Sequence, residues 1–248
     1  MKHDRASAYQ AWLQKKSAQR LLAVESEQLQ SVLGRYYGMH MLYIGISGQS
    51  EQDSALHVGH KFRMALPWQS DEVVHQGIMS ASEWPFPDES LDVVVLQHGL
   101  DFTRRPHQMI REAARVLVPN GYLINVGFHP WGLCGMLRKA MPLARSFPWS
   151  ANSVSPERLQ DWLTLLDFRM EEVTSMAHSW PLSALAPGYF DRLDGLFHGS
   201  RWLNGTSYSM IAQKTVAGVT PIRMRRWRMP EPELGWASSA SHRLPESE

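Results

Sequence analysis

The run Gln97-His98-Gly99-Leu100-Asp101 places an imidazole three positions ahead of a carboxylate. Imidazole titrates near neutrality and a carboxylate can orient it, so His98 and Asp101 are candidates for acid/base work. A second imidazole, His129, stands in Phe128-His129-Pro130-Trp131, directly after an apolar run. A plainer reading stays open beside this one: the His98 ring nitrogens cap the end of a strand, and Trp131 packs as a wall. The 11 histidines include no HExxH pattern and no tight His/Cys grouping, so no metal site is expected.

These residues must be positioned by the elements around them. Asp92-Val93-Val94-Val95-Leu96 is apolar on both alternating faces, which suits a strand buried on both sides of a parallel sheet. Pro106 opens a helix at a position where its missing N–H costs nothing. Along it Ile110, Ala113 and Leu117 share one face, while Arg111, Glu112 and Arg115 are expected to point away. Pro119-Asn120-Gly121 should end that helix, and Tyr122 to Val126 reads as the next strand. Strand, helix and strand of these lengths form a right-handed βαβ unit. In doubly wound sheets ligands collect beyond the carboxyl ends of strands, which brings Gln97–Asp101 and Phe128–Trp131 to one edge.

The same stretch resembles the class I S-adenosylmethionine-dependent methyltransferases, specifically the small-molecule "type 11" group. The resemblance lies in Trp84-Pro85-Phe86-Pro87-Asp88 before an Asp-plus-apolar fourth strand. It continues in Arg111-Glu112, Arg115-Val116-Leu117-Val118-Pro119-Asn120-Gly121 before the fifth. It implies an α/β fold: a doubly wound, Rossmann-like methyltransferase sheet, mostly parallel, whose last strand is antiparallel and inserts beside the fifth. It also implies a cofactor, S-adenosyl-L-methionine, and a small-molecule methyl acceptor.

Carried over residue by residue, the resemblance implies a cofactor edge made of Tyr43, Gly45, Ser47, Gly48, His60, Ser80, Ala81 and Gln97. Gly45 keeps the first glycine of the family's Gly-x-Gly-x-Gly turn, while Ser47 and Gln49 replace the others. Tyr43 stands where the family has an acid. Gly59-His60 occupies the place of the ribose-gripping acid, and Ser80-Ala81 that of an Asp-Ala pair. A histidine cannot offer the two acceptor oxygens of a carboxylate. Ser80 and the Ala81 amide can still hydrogen-bond adenine. Weak binding of the cofactor is therefore the expectation.

The remaining elements are expected as follows. Residues 6–37 form an opening helix with Trp12, Leu21, Leu22, Leu29, Val32 and Leu33 on one face. Strands fall at 40–44, 55–58 and 73–78, with shortened first crossovers and a broken helix over 61–69. Gly132 to Met141 can be a helix. Ser155-Pro156-Glu157 starts another, with Leu159, Trp162, Leu163 and Leu166 facing a sheet. Strands follow at 168–173 and 208–212, with a helix suggested by Tyr189 to Phe197 between them.

The expected organisation is a helical extension over 1–38, a methyltransferase-like domain over 39–214 and a flexible tail over 215–248. Net charge is +1, so no global field draws the protein to nucleic acid or lipid. The basic run Arg223 to Arg228 with its Trp227 keeps RNA binding or RNA methylation in view as a minor alternative. A second alternative is a methyltransferase-like binding or regulatory domain without transfer activity. The single cysteine, Cys134, suits a reducing compartment; no apolar leader and no membrane-length stretch is seen, and the expected location is cytoplasmic.

Overall fold

A computed structural model describes residues 8, 10–45, 57–67, 77–132, 152–177 and 205–215. Its centre is a seven-stranded sheet of β1 (Tyr37–Ile44), β2 (His57–Ala65), β3 (Gly77–Ile78), β4 (Leu91–Gln97), β5 (Leu117–Phe128), β6 (Phe168–Met176) and β7 (Ser207–Lys214). The order is β3-β2-β1-β4-β5-β7-β6. All pairings among β1 to β5 are parallel. β7 runs antiparallel to both neighbours and inserts between β5 and β6, as the resemblance implies. The helices include α1 (Lys16–Leu33), the single turn α2 (Gly99–Phe102), α3 (Pro106–Val116) and α4 (Pro156–Thr164).

The strand alternation divides the core into two layers. Val94, Leu96, Leu123, Met210 and Ala212 face Met109, Ile110 and Ala113 of α3 and Leu159 and Leu163 of α4. Val93, Val95, Ile124, Val126 and Ile211 face Leu29, Val32 and Leu33 of α1 on the opposite side. Both faces are thus covered, which is why β4 reads as a continuous apolar run. Each fully buried Val or Leu contributes about 1.5–3 kcal/mol.

Two polar clips fix the middle of the sheet. The Asp92 carboxylate accepts from the amides of Met39 (2.8 Å) and His40 (2.9 Å), tying the start of β1 to β4. Arg115 and Glu112, expected to point away, instead turn back onto the Trp84–Asp88 turn. Arg115 donates to the Phe86 carbonyl (2.9 Å), the Trp84 carbonyl (3.2 Å) and Asp88 (2.6 Å). Glu112 accepts from the Trp84 amide at 2.9 Å and from Arg115, whose guanidinium holds its carboxyl below the usual range. The turn and the Arg-Glu…Arg passage thus form one hydrogen-bonded unit. At α4 the Ser155 hydroxyl caps the first turn by accepting from the Arg158 amide, with Pro156 at the first helical position.

The second strand differs most from expectation. In place of a strand at 55–58 and a helix over 61–69, one strand runs from His57 to Ala65. It pairs with β1 from Tyr37↔His57 to Ile44↔Met64. Phe62 and Met64 alternate with Arg63 and Ala65 and pack against the core, a period of two that carries the strand on to Ala65. His60 therefore lies in mid-strand, exposed, opposite His40, their rings nearly parallel and 5.4 Å apart. The carboxyl end of β2 belongs to Ala65 and Leu66, and His60, carried over above to a cofactor edge, does not lie there. The first two crossovers run from Ile44 to His57 and from Ala65 to Gly77.

Other boundaries shift by less. The opening helix is described as Lys16–Leu33, and β1 begins at Tyr37. β5 opens at Leu117, so Pro119-Asn120-Gly121 lies within it, with Asn120 at φ 65° and a register shift against β4. Trp162, expected on the buried face of its helix, is half-buried and contacts the His107 ring at 3.7 Å between centroids. Ser47, Gly48, the helices expected at 133–141 and 189–197 and the Arg223–Arg228 run lie outside the described residues. Among the described residues no helix is long and apolar enough to cross a membrane.

Candidate active site

β4 ends at Gln97, and His98 then adopts a left-handed conformation (φ 55°, ψ 12°) that turns the chain into α2. Such a backbone is uncommon for a residue with a Cβ and persists where its surroundings over-determine it. Here they do. The His98 amide donates to the Val126 carbonyl at 2.7 Å, extending the β4–β5 ladder by one rung. The turn of α2 carries Asp101 back over the ring, where Nδ1 donates to Oδ2 at 2.8 Å. The same oxygen accepts from the Phe128 amide at 2.9 Å, joining the end of β5 to the site. The His98 ring lies 4.1 Å from that of Phe128, centroid to centroid.

The other face of the imidazole is held by a residue the sequence reading did not single out. Glu25 reaches in from the middle of α1, its oxygens 3.0 and 3.1 Å from His98 Nε2. It also accepts from the Gln97 side-chain amide at 3.0 Å. Gln97 in turn accepts a short hydrogen bond from the Tyr43 hydroxyl on β1. Glu25, Gln97 and His98 are wholly buried, and Asp101 and Tyr43 nearly so. Arg63 on β2 lies beyond, its guanidinium carbon 5.4 Å from the centre of the Tyr43 ring. A signal for Glu25 was present: it falls four residues from both Leu21 and Leu29, on the apolar stripe of its helix.

These contacts determine the charges. Burial opposes a positive ring, but the Glu25 carboxylate and the hydrogen bonds to Asp101 and Glu25 together lift His98 to about 10. Burial likewise raises the Asp101 carboxyl, an effect the neighbouring His98 offsets in part. At neutral pH the His98 ring is therefore an imidazolium donating from both nitrogens. A folded-state value above the unfolded 6.5 contributes stability that is complete below that pH and lost as pH rises through about 10. The urea midpoint is expected to fall between pH 7 and pH 10, and the fall should be smaller in His98→Gln. Equal slopes for the two proteins would contradict the assignment.

The structure brings His98 and Asp101 together but leaves His129 apart. His129 is buried after β5, its amide bonded to the Thr206 carbonyl (2.8 Å) and its Nδ1 accepting from the Trp131 amide (3.2 Å). Burial pushes its pKa down, and no hydrogen bond joins it to the His98 network among the described residues. Trp131 is exposed rather than a packed wall.

Among the residues carried over to a cofactor edge, a Cβ on Gly45 would meet the Tyr43 ring at 2.5 Å, so the ring fills the space beneath that backbone. Ser80 is exposed in the turn after β3, where its hydroxyl accepts from the Ser82 amide at 3.3 Å, and Ala81 is half-buried against the core. Tyr43 and Gln97 direct their polar atoms at each other, and Gln97 also at Glu25.

Residues 58–125 match the family described as a methyltransferase domain. An uncharacterised protein of Escherichia coli strain K12, YafS, is 33% identical over 144 residues. That match spans 58% of this chain and 58% of YafS. Among solved structures, an S-adenosylmethionine-dependent methyltransferase of Thermotoga maritima, a possible histamine N-methyltransferase, is similar with a TM-score of 0.57 at 18% identity. It covers 84% of this chain and 95% of its own. A methyltransferase of the same cofactor class from Archaeoglobus fulgidus gives 0.51 at 19%, covering 76% and 94%. A putative methyltransferase of Bacillus halodurans C-125 gives 0.51 at 16%, covering 77% and 99%. At these identities the likeness to solved structures is one of fold.

Proposed function

We propose that this chain, whose residues 58–125 match a methyltransferase domain, is a class I enzyme that transfers a methyl group from S-adenosylmethionine to a small molecule. The observation that supports this best is the sheet order β3-β2-β1-β4-β5-β7-β6 with antiparallel β7, combined with the domain match over β2 to β5. Gly45, Ser80 and Ala81 would hold the cofactor, whose sulfonium makes its methyl group an electrophile. The protein's part is then alignment of the acceptor. His98 does not act as the base in this reading, because both of its ring nitrogens are already donating to carboxylates. One cysteine and the absence of a membrane-length apolar stretch fit a cytoplasmic enzyme.

Carboxylates are absent at positions 43 and 80, and each charge-assisted hydrogen bond lost is worth about 1.5–3 kcal/mol. The expected calorimetric result is weak but measurable binding of S-adenosylmethionine. Gly45→Val should abolish it, because the added side chain would collide with the Tyr43 ring. A melting curve on the same variant separates lost binding from lost folding. Tight binding indifferent to Gly45→Val would place the cofactor elsewhere. The occupied ring of His98 favours a second reading, a binding domain without transfer, and methyl transfer to a panel of acceptors separates the two.

A further inference from the structure

We propose that Glu25, carried by the N-terminal helix α1, is the positioning residue of this site and holds the ends of β1, β4 and β5 in the arrangement that receives the cofactor. The proposal rests on the methyltransferase reading for what the site binds, but its geometry does not. One carboxylate links three strands. It grips Gln97 directly, and through Gln97 the Tyr43 hydroxyl at the end of β1. It grips His98 at the end of β4, and through His98 and Asp101 the Phe128 amide at the end of β5.

Only a carboxylate suits this place. Oε2 accepts from both the Gln97 amide and His98 Nε2, while Oε1 lies 3.1 Å from that nitrogen. A glutamine would turn its own N–H₂ against one of these donors. The charge matters equally, because the imidazolium it faces is wholly buried. The charged groups facing His98 are Glu25 from α1 and Asp101 from α2, while β5 offers the Phe128 ring; Arg63 of β2 lies beyond Tyr43. Glu25 thus brings a buried carboxylate to the Tyr43–Gln97–His98 network from another element. Helix α1 becomes part of the site rather than an extension of it.

The test compares Glu25→Gln with Glu27→Gln, an exposed acid on the same helix that controls for lost charge and helix propensity. S-adenosylhomocysteine is titrated calorimetrically, and the imidazole of His98 is followed by ¹⁵N NMR across pH. Glu25→Gln is expected to weaken binding by about tenfold to a hundredfold, as displaced site groups do, and to move the His98 titration to lower pH. Glu27→Gln should change neither. Should Glu25→Gln fail to fold, Glu25→Asp keeps the charge but withdraws it by one methylene, and the same loss of binding is expected. Unchanged binding in a folded Glu25 variant would overturn the proposal. If the unaltered chain binds no S-adenosylhomocysteine at millimolar concentration, the methyltransferase reading fails. The NMR result then decides: a lowered His98 titration retains Glu25 as the clamp of the strand ends, and an unmoved one removes it.

Discussion

His98→Leu is expected to cost about 3–5 kcal/mol of unfolding free energy, the range seen when one partner of a buried ion pair is removed. The substitution roughly preserves the volume packed against Phe128 but leaves Glu25 and Asp101 without their shared cation. Neither carboxylate can turn to solvent, since both are almost fully buried. A leucine also resists the left-handed backbone at this position more than histidine does. Urea unfolding at pH 7 measures the loss. The double variant His98→Leu, Glu25→Leu should recover part of it, because one stranded charge disappears with its helix face left apolar. A single-variant loss below about 1 kcal/mol would show that water reaches the pair and that its desolvation has been misread.

The second large effect is expected at Gly205, where β7 begins beside the end of β6. A Cβ there would lie 2.0 Å from the Met176 carbonyl oxygen and 2.8 Å from its carbon. These are backbone atoms, so relief requires moving a strand rather than a side chain. That strand is pinned by the Met176↔Ser207 register, the Thr206 amide on the Ala177 carbonyl, and the Gly205 amide on the Ser175 hydroxyl at 2.6 Å. Gly132 is crowded in the same way, its Cβ position 2.1 Å from the Gly205 carbonyl oxygen. Gly205→Ala should therefore fall at the upper end of overpacking costs, about 3 kcal/mol. For a chain of this size that lowers the melting temperature by roughly 6–12 °C. Gly77→Ala is the control: its Cβ would meet only the flexible end of Met64, at 3.2 Å, and should melt close to the unaltered protein. Equal melting of the two variants would show that the β6–β7 corner yields freely.

The parts legible in the sequence were those whose signals are local. β4 announced itself by Val93 to Leu96, α3 by Pro106, α4 by Ser155-Pro156, and the His98–Asp101 contact by a spacing of one helical turn. β2 was misplaced because His57 to Ala65 mixes Gly, His, Lys and Arg into a flanking strand, with only Phe62 and Met64 signalling its core face. Its pairing with β1, not its own propensity, makes it a strand. The Tyr43–Gln97 and Glu25–His98 bonds join residues 54 and 73 apart. Helix periodicity shows that Glu25 faces the core, but which buried base it meets depends on how α1 crosses the sheet. The Arg115 clip escaped for a related reason, since a charged residue opposite an apolar stripe was read as solvated.

The two outermost strands of the sheet, β3 and β6, each present a backbone edge. At one end, among the described residues, β3 consists of Gly77–Ile78. At the other, β6 is nine residues long and would be a ready partner for a second molecule. It is blunted twice over. Arg169 and Glu171 are exposed along it, and Arg35 reaches Glu172 at 3.0 Å, so an approaching strand meets charge. A register shift between Met170 and Glu172 also breaks the regular row of amides and carbonyls that edge-to-edge addition requires. The described edge of β6 is thus ill suited to sheet extension, and resistance to β-aggregation there rests on a few surface charges and one bulge.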